Sequence, residues 1–279
     1  MSTGRSDVPG CRLAWSLVDL TPPWITAPQT IVMHHGIGAC QDIFAGWLPS
    51  LIGTYRILRF DMRGHGESDR PSASVTIDMD RLSDDLFAVM DSVGVDRAHL
   101  VGESIGGTIV LNAALRAPRR VRTLTVSNGA HLGASIQSVA GWKQMIADQG
   151  MEGWSDFMMR GRFHPGAISP AMERWFAAQQ ASACPDTVLR MLEALVNADL
   201  ASRVPTLRPP LLLLHPDESP FIPVSAMAAF REAVPGARLH VIGHAKHGLP
   251  FSHAAVCSSL LTEFLREPLS GVDRSDWGH

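Results

Sequence analysis

The stretch Val101-Gly102-Glu103-Ser104-Ile105-Gly106-Gly107 sets a hydroxyl among the small residues that a sharp turn requires. A short apolar run, Ala98-His99-Leu100-Val101, precedes it, and a helical pattern from 105 to 116 follows, so Ser104 is expected on a strand-to-helix turn. Glycines at 102 and 106 suit that turn because a backbone bent so tightly leaves no room for Cβ atoms on either side. A bare Gly-x-Ser-x-Gly arises often by chance. Between a strand and a helix it points to Ser104 as a nucleophile, against the plainer reading of an N-cap serine. A serine hydroxyl attacks a carbonyl poorly at its own pKa and needs a base within hydrogen-bond reach. Candidate bases stand near the C-terminus, where Leu239-His240-Val241-Ile242 leads into Gly243-His244-Ala245-Lys246-His247-Gly248.

The elements that must position these groups follow from the hydrophobic pattern. Strands are expected at 13–18, 31–34, 57–61, 98–101, 121–127, 211–215 and 239–242, and helices at 42–52, 77–93, 105–116, 224–234 and 250–265. Such alternation implies an α/β fold with a mostly parallel sheet covered by helices on both faces. Between 131 and 205 the strand signals stop and methionine- and tryptophan-rich helical segments take over. That stretch reads as a helical cap inserted over the site, leaving 1–130 and 206–279 as the core. Met145, Met151, Met158, Met159, Met172 and Met191 could line an adaptable pocket, although helix packing is the commoner use of such residues. Trp142, Trp154 and Trp175 carry the same two readings. Lys143, Arg160, Arg162 and His164 could neutralise a substrate carboxylate, although a solvated surface is the ordinary place for any one such charge.

Composition narrows the function classes. A chain of 279 residues that is 46% hydrophobic can bury one large core with an inserted lid. A net charge of −3 and a pI near 6.4 give no basic footprint for nucleic acid. No run approaches the roughly 18 apolar residues of a membrane helix, and residues 1–10 lack the apolar stretch of a signal peptide. Cys11, Cys40, Cys184 and Cys257 show neither metal-ligand nor redox spacing, which suggests reduced thiols and a cytoplasmic protein. Gly36-x-Gly38 is too short for a dinucleotide fingerprint, and Asp78, Asp80, Asp84 and Asp85 read as the acidic start of a helix. No cofactor or metal is implied. The expected partner is a small-molecule substrate, with monomer and homo-oligomer both open.

Two further segments join the serine turn and the histidine loop. Ile31-Val32-Met33-His34-His35-Gly36-Ile37-Gly38 is a buried strand running into a glycine loop that can aim a backbone N–H at a developing oxyanion, and the segment 57–68 is a strand followed by a turn-rich crossing. Together these residues resemble the α/β-hydrolase superfamily over roughly residues 12 to 130 and 206 to 267, and the order serine then histidine agrees. Within it the chain most resembles the 3-oxoadipate enol-lactonase-like group of small bacterial esterases and lactonases. That likeness rests on His35-Gly36, the segment 61–68, Val126-Ser127-Asn128-Gly129-Ala130 and Trp142. The resemblance implies that His247, with its following glycine, is the general base and acid, with His244 as second candidate; His35 and His65 sit in glycine turns and read as structural. It further implies an oxyanion hole from the backbone N–H groups of Ile37 and Ile105, and substrate contacts at Gly36 and Trp142.

The triad acid departs from the family. Members usually carry Gly-Asp-x-Asp-Pro-x-x-Pro where this chain has Pro216-Asp217-Glu218-Ser219-Pro220-Phe221-Ile222-Pro223, so aligning the prolines puts Ser219 at the acid position. A hydroxyl can orient an imidazole but supplies no charge, and neutralising such an acid in another serine hydrolase lowers turnover about 10⁴-fold. Four explanations stay open: Asp217 or Glu218 in the role through a shifted loop, Ser219 as a weak partner, the amide of Asn128 at the end of the sixth strand, or an altered hydrolytic cycle. Three functions follow. The first is a cofactor-independent hydrolase of a small ester or lactone, including a carboxylate-bearing one, through an acyl-serine on Ser104. The second is a C–C bond hydrolase, lyase or decarboxylase with His247 as proton shuttle. The third, a ligand-binding non-enzyme, is opposed by the presence of both Ser104 and His247.

Overall fold

The computed structural model describes residues 1–266; the stretch 267–279, assigned to the core above, lies outside them. Strands β1 (Ser2–Val8), β2 (Cys11–Val18), β3 (Thr30–His34), β4 (Arg56–Phe60), β5 (Ala98–Glu103), β6 (Val121–Ser127), β7 (Leu211–Pro216) and β8 (Arg238–Ile242) form one sheet in the order β1-β2-β4-β3-β5-β6-β7-β8. From β4 to β8 the strands are parallel, whereas β1 and β2 run antiparallel at one edge. The helices are α1 (Leu48–Leu51), α2 (Met79–Ser92), α3 (Ile105–Arg116), α4 (Trp142–Arg162), α5 (Pro170–Ser182), α6 (Pro185–Val196), α7 (Val224–Ala233), α8 (Leu249–Ser252) and α9 (Ala254–Arg266).

The central strands β3, β5 and β7 are buried along their whole length, as strands between two helix layers must be. Their side chains alternate between those layers. Val32, Leu58, Leu100, Leu124 and Leu213 enter the core shared with α2 and α3, while Ile31, Met33, Ile57, Val101, Leu212 and Leu214 enter the one shared with Trp47, Leu51 and Leu261. The α/β arrangement expected from the sequence is the arrangement found.

Four local features differ from the sequence reading. Strand β1 was not expected, because Ser2–Val8 carries little apolar alternation; it forms by pairing with β2 over its full length across a Pro9-Gly10 turn, with Gly10 at φ 82°. The helix expected over 42–52 is a 3₁₀ segment, Gln41–Trp47, running into the single turn α1. The expected 250–265 helix divides into α8 and α9 at His253. Asp85, read as part of an acidic face, is buried and forms a two-pronged pair with the buried Arg63, at 2.7 and 2.5 Å. Helices α4, α5 and α6 come between β6 and β7 in the chain, with α4 broken at Gly150, where φ is 68°.

Candidate active site

Strand β5 turns into α3 at Ser104, whose φ of 57° and ψ of −125° lie in a region that side chains normally avoid. Such a conformation persists only when its surroundings fix it. Here the Ser104 N–H donates to the Ser127 carbonyl at 2.9 Å, and the Ser104 carbonyl accepts from Gly107 N–H at 2.9 Å. A Cβ on Gly102 would stand 2.2 Å from the Gly106 carbonyl oxygen, and one on Gly106 would stand 2.4 Å from that of His34. The glycine requirement read from the sequence is therefore steric.

His247 arrives on the loop after β8. Its Nε2 lies 3.1 Å from Ser104 Oγ and its Nδ1 lies 3.5 Å from Ser219 Oγ. The first is a hydrogen bond that lets Nε2 accept the serine proton; the second sits at the outer limit of one and orients the ring weakly. Asn128 donates its amide to the His247 backbone carbonyl at 2.8 Å, so it holds the loop and not the ring. The Asp217 carboxylate accepts from the N–H groups of His244 and Ala245 at 2.9 and 3.0 Å, and Glu218 Oε1 lies 3.4 Å from His164 Nε2. Neither acid is brought to the imidazole. Burial, with help from the nearby Arg162 and His215, holds the His247 pKa well below its ordinary value. The resting ring is neutral and able to accept a proton.

Two charged groups crowd this site: Glu103, to which the sequence reading gave no role, and Arg162, for which that reading set a substrate-carboxylate role beside the more ordinary one of a solvated charge. Glu103, the residue between Gly102 and Ser104, is buried with Oε1 3.9 Å from His247 Nε2, and its Oε2 has no hydrogen-bond partner. Burial pushes its carboxyl up to about 7, with Arg162 and the Gly36 amide pulling the other way. Gly36 makes the room: a Cβ there would stand 2.2 Å from Glu103 Oε2 and 2.8 Å from Ser104 Cβ. A charged residue in a strand end otherwise fit for burial was the available signal for Glu103. Arg162 corrects the surface reading, being only 2% exposed at the end of α4. Its Nε donates to Gln180 Oε1 at 2.6 Å and its Nη2 to the Ile37 carbonyl at 3.0 Å, with the guanidinium over the Phe176 ring. No local pattern distinguishes Arg162 from the neighbouring Arg160; only packing does.

Neutral histidines hold the loop after β3. His35 Nδ1–H donates to the Gly36 carbonyl at 2.8 Å while its Nε2 accepts from Met62 N–H at 2.9 Å. His65 Nε2 accepts from Gly38 N–H at 3.1 Å, and its Nδ1–H donates to the Arg63 carbonyl. Burial lowers the pKa of both, that of His35 to about 3, so these tautomers persist across ordinary pH. The loop thus presents Ile37 to the cavity beside Ser104. Ile105 opens α3, where a first-turn N–H has no carbonyl one turn back to receive it.

A cavity joins these residues. Ser104 and His247 meet Ile37, Trp142, Met158 and Arg162 in its wall, and the rest of the lining is mostly aliphatic or aromatic. Of the six methionines singled out above, Met158 alone lines it; Met191 is core and Met172 is exposed. Trp142 Nε1 is buried there without a partner. Among the described residues, His164, Glu218 and His244 form the one grouping of metal-ligand types, with ligand atoms within 4.8 Å of one another, but the two rings stack at 4.2 Å and Glu218 is exposed.

Comparison with known proteins gives the family and the fold. The family described as the alpha/beta hydrolase fold matches residues 29–187. A 2-hydroxymuconate semialdehyde hydrolase of Pseudomonas sp. (strain CF600) is 30% identical over 254 residues, covering 85% of this chain and 87% of the relative. A 2-hydroxy-6-oxo-2,4-heptadienoate hydrolase of Pseudomonas putida is 25% identical over 258 residues, covering 86% and 90%. The crystal structure of the enol-lactonase from Burkholderia xenovorans LB400 superposes with a TM-score of 0.86 at 23% identity, covering 95% of this chain and all of that one, a likeness of fold. Among the described residues no helix is long and apolar enough to cross a membrane.

Proposed function

The chain belongs to the α/β-hydrolase superfamily and is an enzyme of that type, and on that premise we propose that it hydrolyses a small ester or lactone through an acyl-serine on Ser104, with His247 as base and then acid. The observation that carries this reading is the 3.1 Å contact between His247 Nε2 and Ser104 Oγ on a strained strand-to-helix turn. As Oγ attacks the substrate carbonyl, its proton passes to Nε2. The tetrahedral oxyanion is received by the N–H groups of Ile37 and Ile105, each worth on the order of 10² to 10³ in turnover. The intermediate collapses by breaking the bond to the alkoxide, which leaves with the proton from Nε2. Water, deprotonated by His247, then attacks the acyl carbon and frees Ser104. From a lactone the alkoxide stays tethered and the product is a hydroxy acid.

The apolar wall suits the carbon skeleton, and buried Arg162 favours a substrate bearing a carboxylate. Two relatives named for hydrolysing 2-hydroxymuconate semialdehyde and 2-hydroxy-6-oxo-2,4-heptadienoate support that preference. Residues 131–205 act as the cap, since α4 and α6 supply Trp142, Met158, Arg162 and Leu192 to the cavity above the strand ends. The chemistry draws on side chains, backbone N–H groups and water, and the four cysteines, all free thiols, accord with a cytoplasmic enzyme. A second reading, cleavage of a C–C bond or decarboxylation with His247 as proton shuttle, is favoured by the lack of a carboxylate at Nδ1.

Intact-mass spectrometry after treatment with a serine-directed phosphonate, beside turnover of p-nitrophenyl acetate, tests the proposal. One adduct and measurable turnover in the wild type, both lost in Ser104→Ala and His247→Ala, are expected. Turnover that survives Ser104→Ala sinks the acyl-serine route and moves the assignment to the proton-shuttle reading.

A further inference from the structure

The imidazolium that must form at His247 has an unusual setting. Its ring is buried, a buried arginine stands near it, and its Nδ1 meets a hydroxyl at 3.5 Å where a carboxylate would give counter-charge. A cation created there without compensation is costly, because burial removes the water that would otherwise solvate it. Among the described residues Glu103 is the only carboxylate within 4.0 Å of a His247 ring nitrogen, and it lies on the opposite side of the ring from the usual position, 3.9 Å from Nε2.

We propose that Glu103 is the electrostatic partner of His247, its carboxylate on the Nε2 side stabilising the imidazolium formed when Ser104 gives up its proton, in place of an acid at Nδ1. The inference rests on Ser104 and His247 being nucleophile and base. Three observations support it. Glu103 Oε2 is buried without a hydrogen-bond partner, no side chain among the described residues bonds the carboxyl, and the Gly36 amide is the one backbone group addressing it, so its oxygens are left under-satisfied at a cost. The missing Cβ of Gly36 keeps open the space that this oxygen occupies. Charge also balances: with Glu103 ionised, Arg162 and a neutral His247 sum to zero, and proton transfer from Ser104 to Nε2 creates a cation beside an anion already in place. A carboxylate at this range shifts an imidazole by about one to three pKa units, enough to matter in a proton-transfer step.

The groups facing Glu103 are Arg162 from α4, His247 from the loop after β8 and the Gly36 amide from the loop after β3. Because burial holds its carboxyl near 7, the counter-charge appears only as pH rises through that value. Turnover should climb across the same range.

The test follows kcat and KM for p-nitrophenyl acetate from about pH 5 to 9 in wild type, Ser104→Ala, Glu103→Gln and Glu103→Gln/Ser219→Asp. Glu103→Gln keeps the side-chain volume and is expected to lower kcat roughly 10- to 100-fold with little change in KM, and to abolish the rise near pH 7. Ser219→Asp supplies a carboxylate at Nδ1 and should restore most of that loss in the double variant. Unchanged kcat in Glu103→Gln, a loss that leaves the rise near pH 7 in place, or a double variant no better than the single one would overturn the inference. Turnover surviving in Ser104→Ala would instead remove the acyl-serine reading beneath it, so the two failures are distinct.

Discussion

The turn from β5 into α3 and the turn from β7 into α7 flank the same imidazole and are built in opposite ways. At the first, the residues on either side of Ser104 are buried and sterically fixed: Gly102 and Gly106, with Gly36 from the facing loop after β3, each stand where a Cβ would collide, and a carboxyl is enclosed at Glu103. At the second, the carboxylates of Asp217 and Glu218 face water, backbone amides and His164, and only the Ser219 hydroxyl turns toward the ring. A solvated carboxylate whose lone pairs are filled by two amides stabilises a loop; one with an orphaned oxygen in a dry pocket acts on whatever charge forms beside it. The catalytic acid sought on the β7 side thus has its counterpart on the β5 side.

Substitutions can break or sharpen that contrast. His247→Ala removes the group that both turns address and should lower p-nitrophenyl acetate turnover by about 10⁴-fold or more. Gly36→Ala comes next: its methyl would force the Glu103 carboxylate from its place, and a fall of about 10²-fold is expected in kcat, with the fold intact by circular dichroism. Arg162→Met keeps length without charge. It should raise KM about tenfold or more for a carboxylate-bearing ester and much less for a neutral ester of equal size, with kcat for both falling through the lost contact to the Ile37 carbonyl.

Stability offers an independent measure of the first turn. Because the folded Glu103 carboxyl titrates near 7, above its ordinary 4.5, its contribution is fully present below 4.5 and is lost as pH rises through 7. Glu103→Gln should therefore unfold less readily than wild type at pH 8, by about 2–3 kcal/mol in urea titrations, with the gain vanishing at pH 4. His247 acts in the other direction: with its pKa depressed on folding, its contribution is present above 6.5 and is lost as pH falls below it. The smallest effect is expected at the second turn. Ser219→Ala removes a contact at 3.5 Å and should change kcat by less than about threefold; a loss near 10²-fold would return the orienting role to the β7 side.

Legibility followed locality. The strand-turn-helix at Ser104 was readable because a turn's steric demands fall on residues adjacent in sequence, and α3 and β6 keep the bounds expected for them. Strand β1 was missed because its partner, not its composition, makes it a strand, although the Pro9-Gly10 turn signalled the hairpin. His35 and His65 were rightly separated from His247 as structural by their glycine turns, but the bonds by which they clamp the loop at Gly36 and Gly38 cross from one strand end to another.

By itself the sequence determined the α/β layering, since hydrophobic period is a property of neighbours along the chain; glycine spacing singled out Ser104, and the family resemblance singled out His247, as the pair proposed to react. Only the tertiary structure decided what surrounds that pair. Arg162 reads like any other helix arginine until the end of α4 is packed against α5 and the loop after β3. Glu103 is an unremarked letter inside a motif until a missing Cβ at Gly36, carried by the loop after a different strand, gives its carboxylate a place beside the imidazole. Charge acts through distance and exclusion of water, and both are fixed by which strand ends the fold brings together.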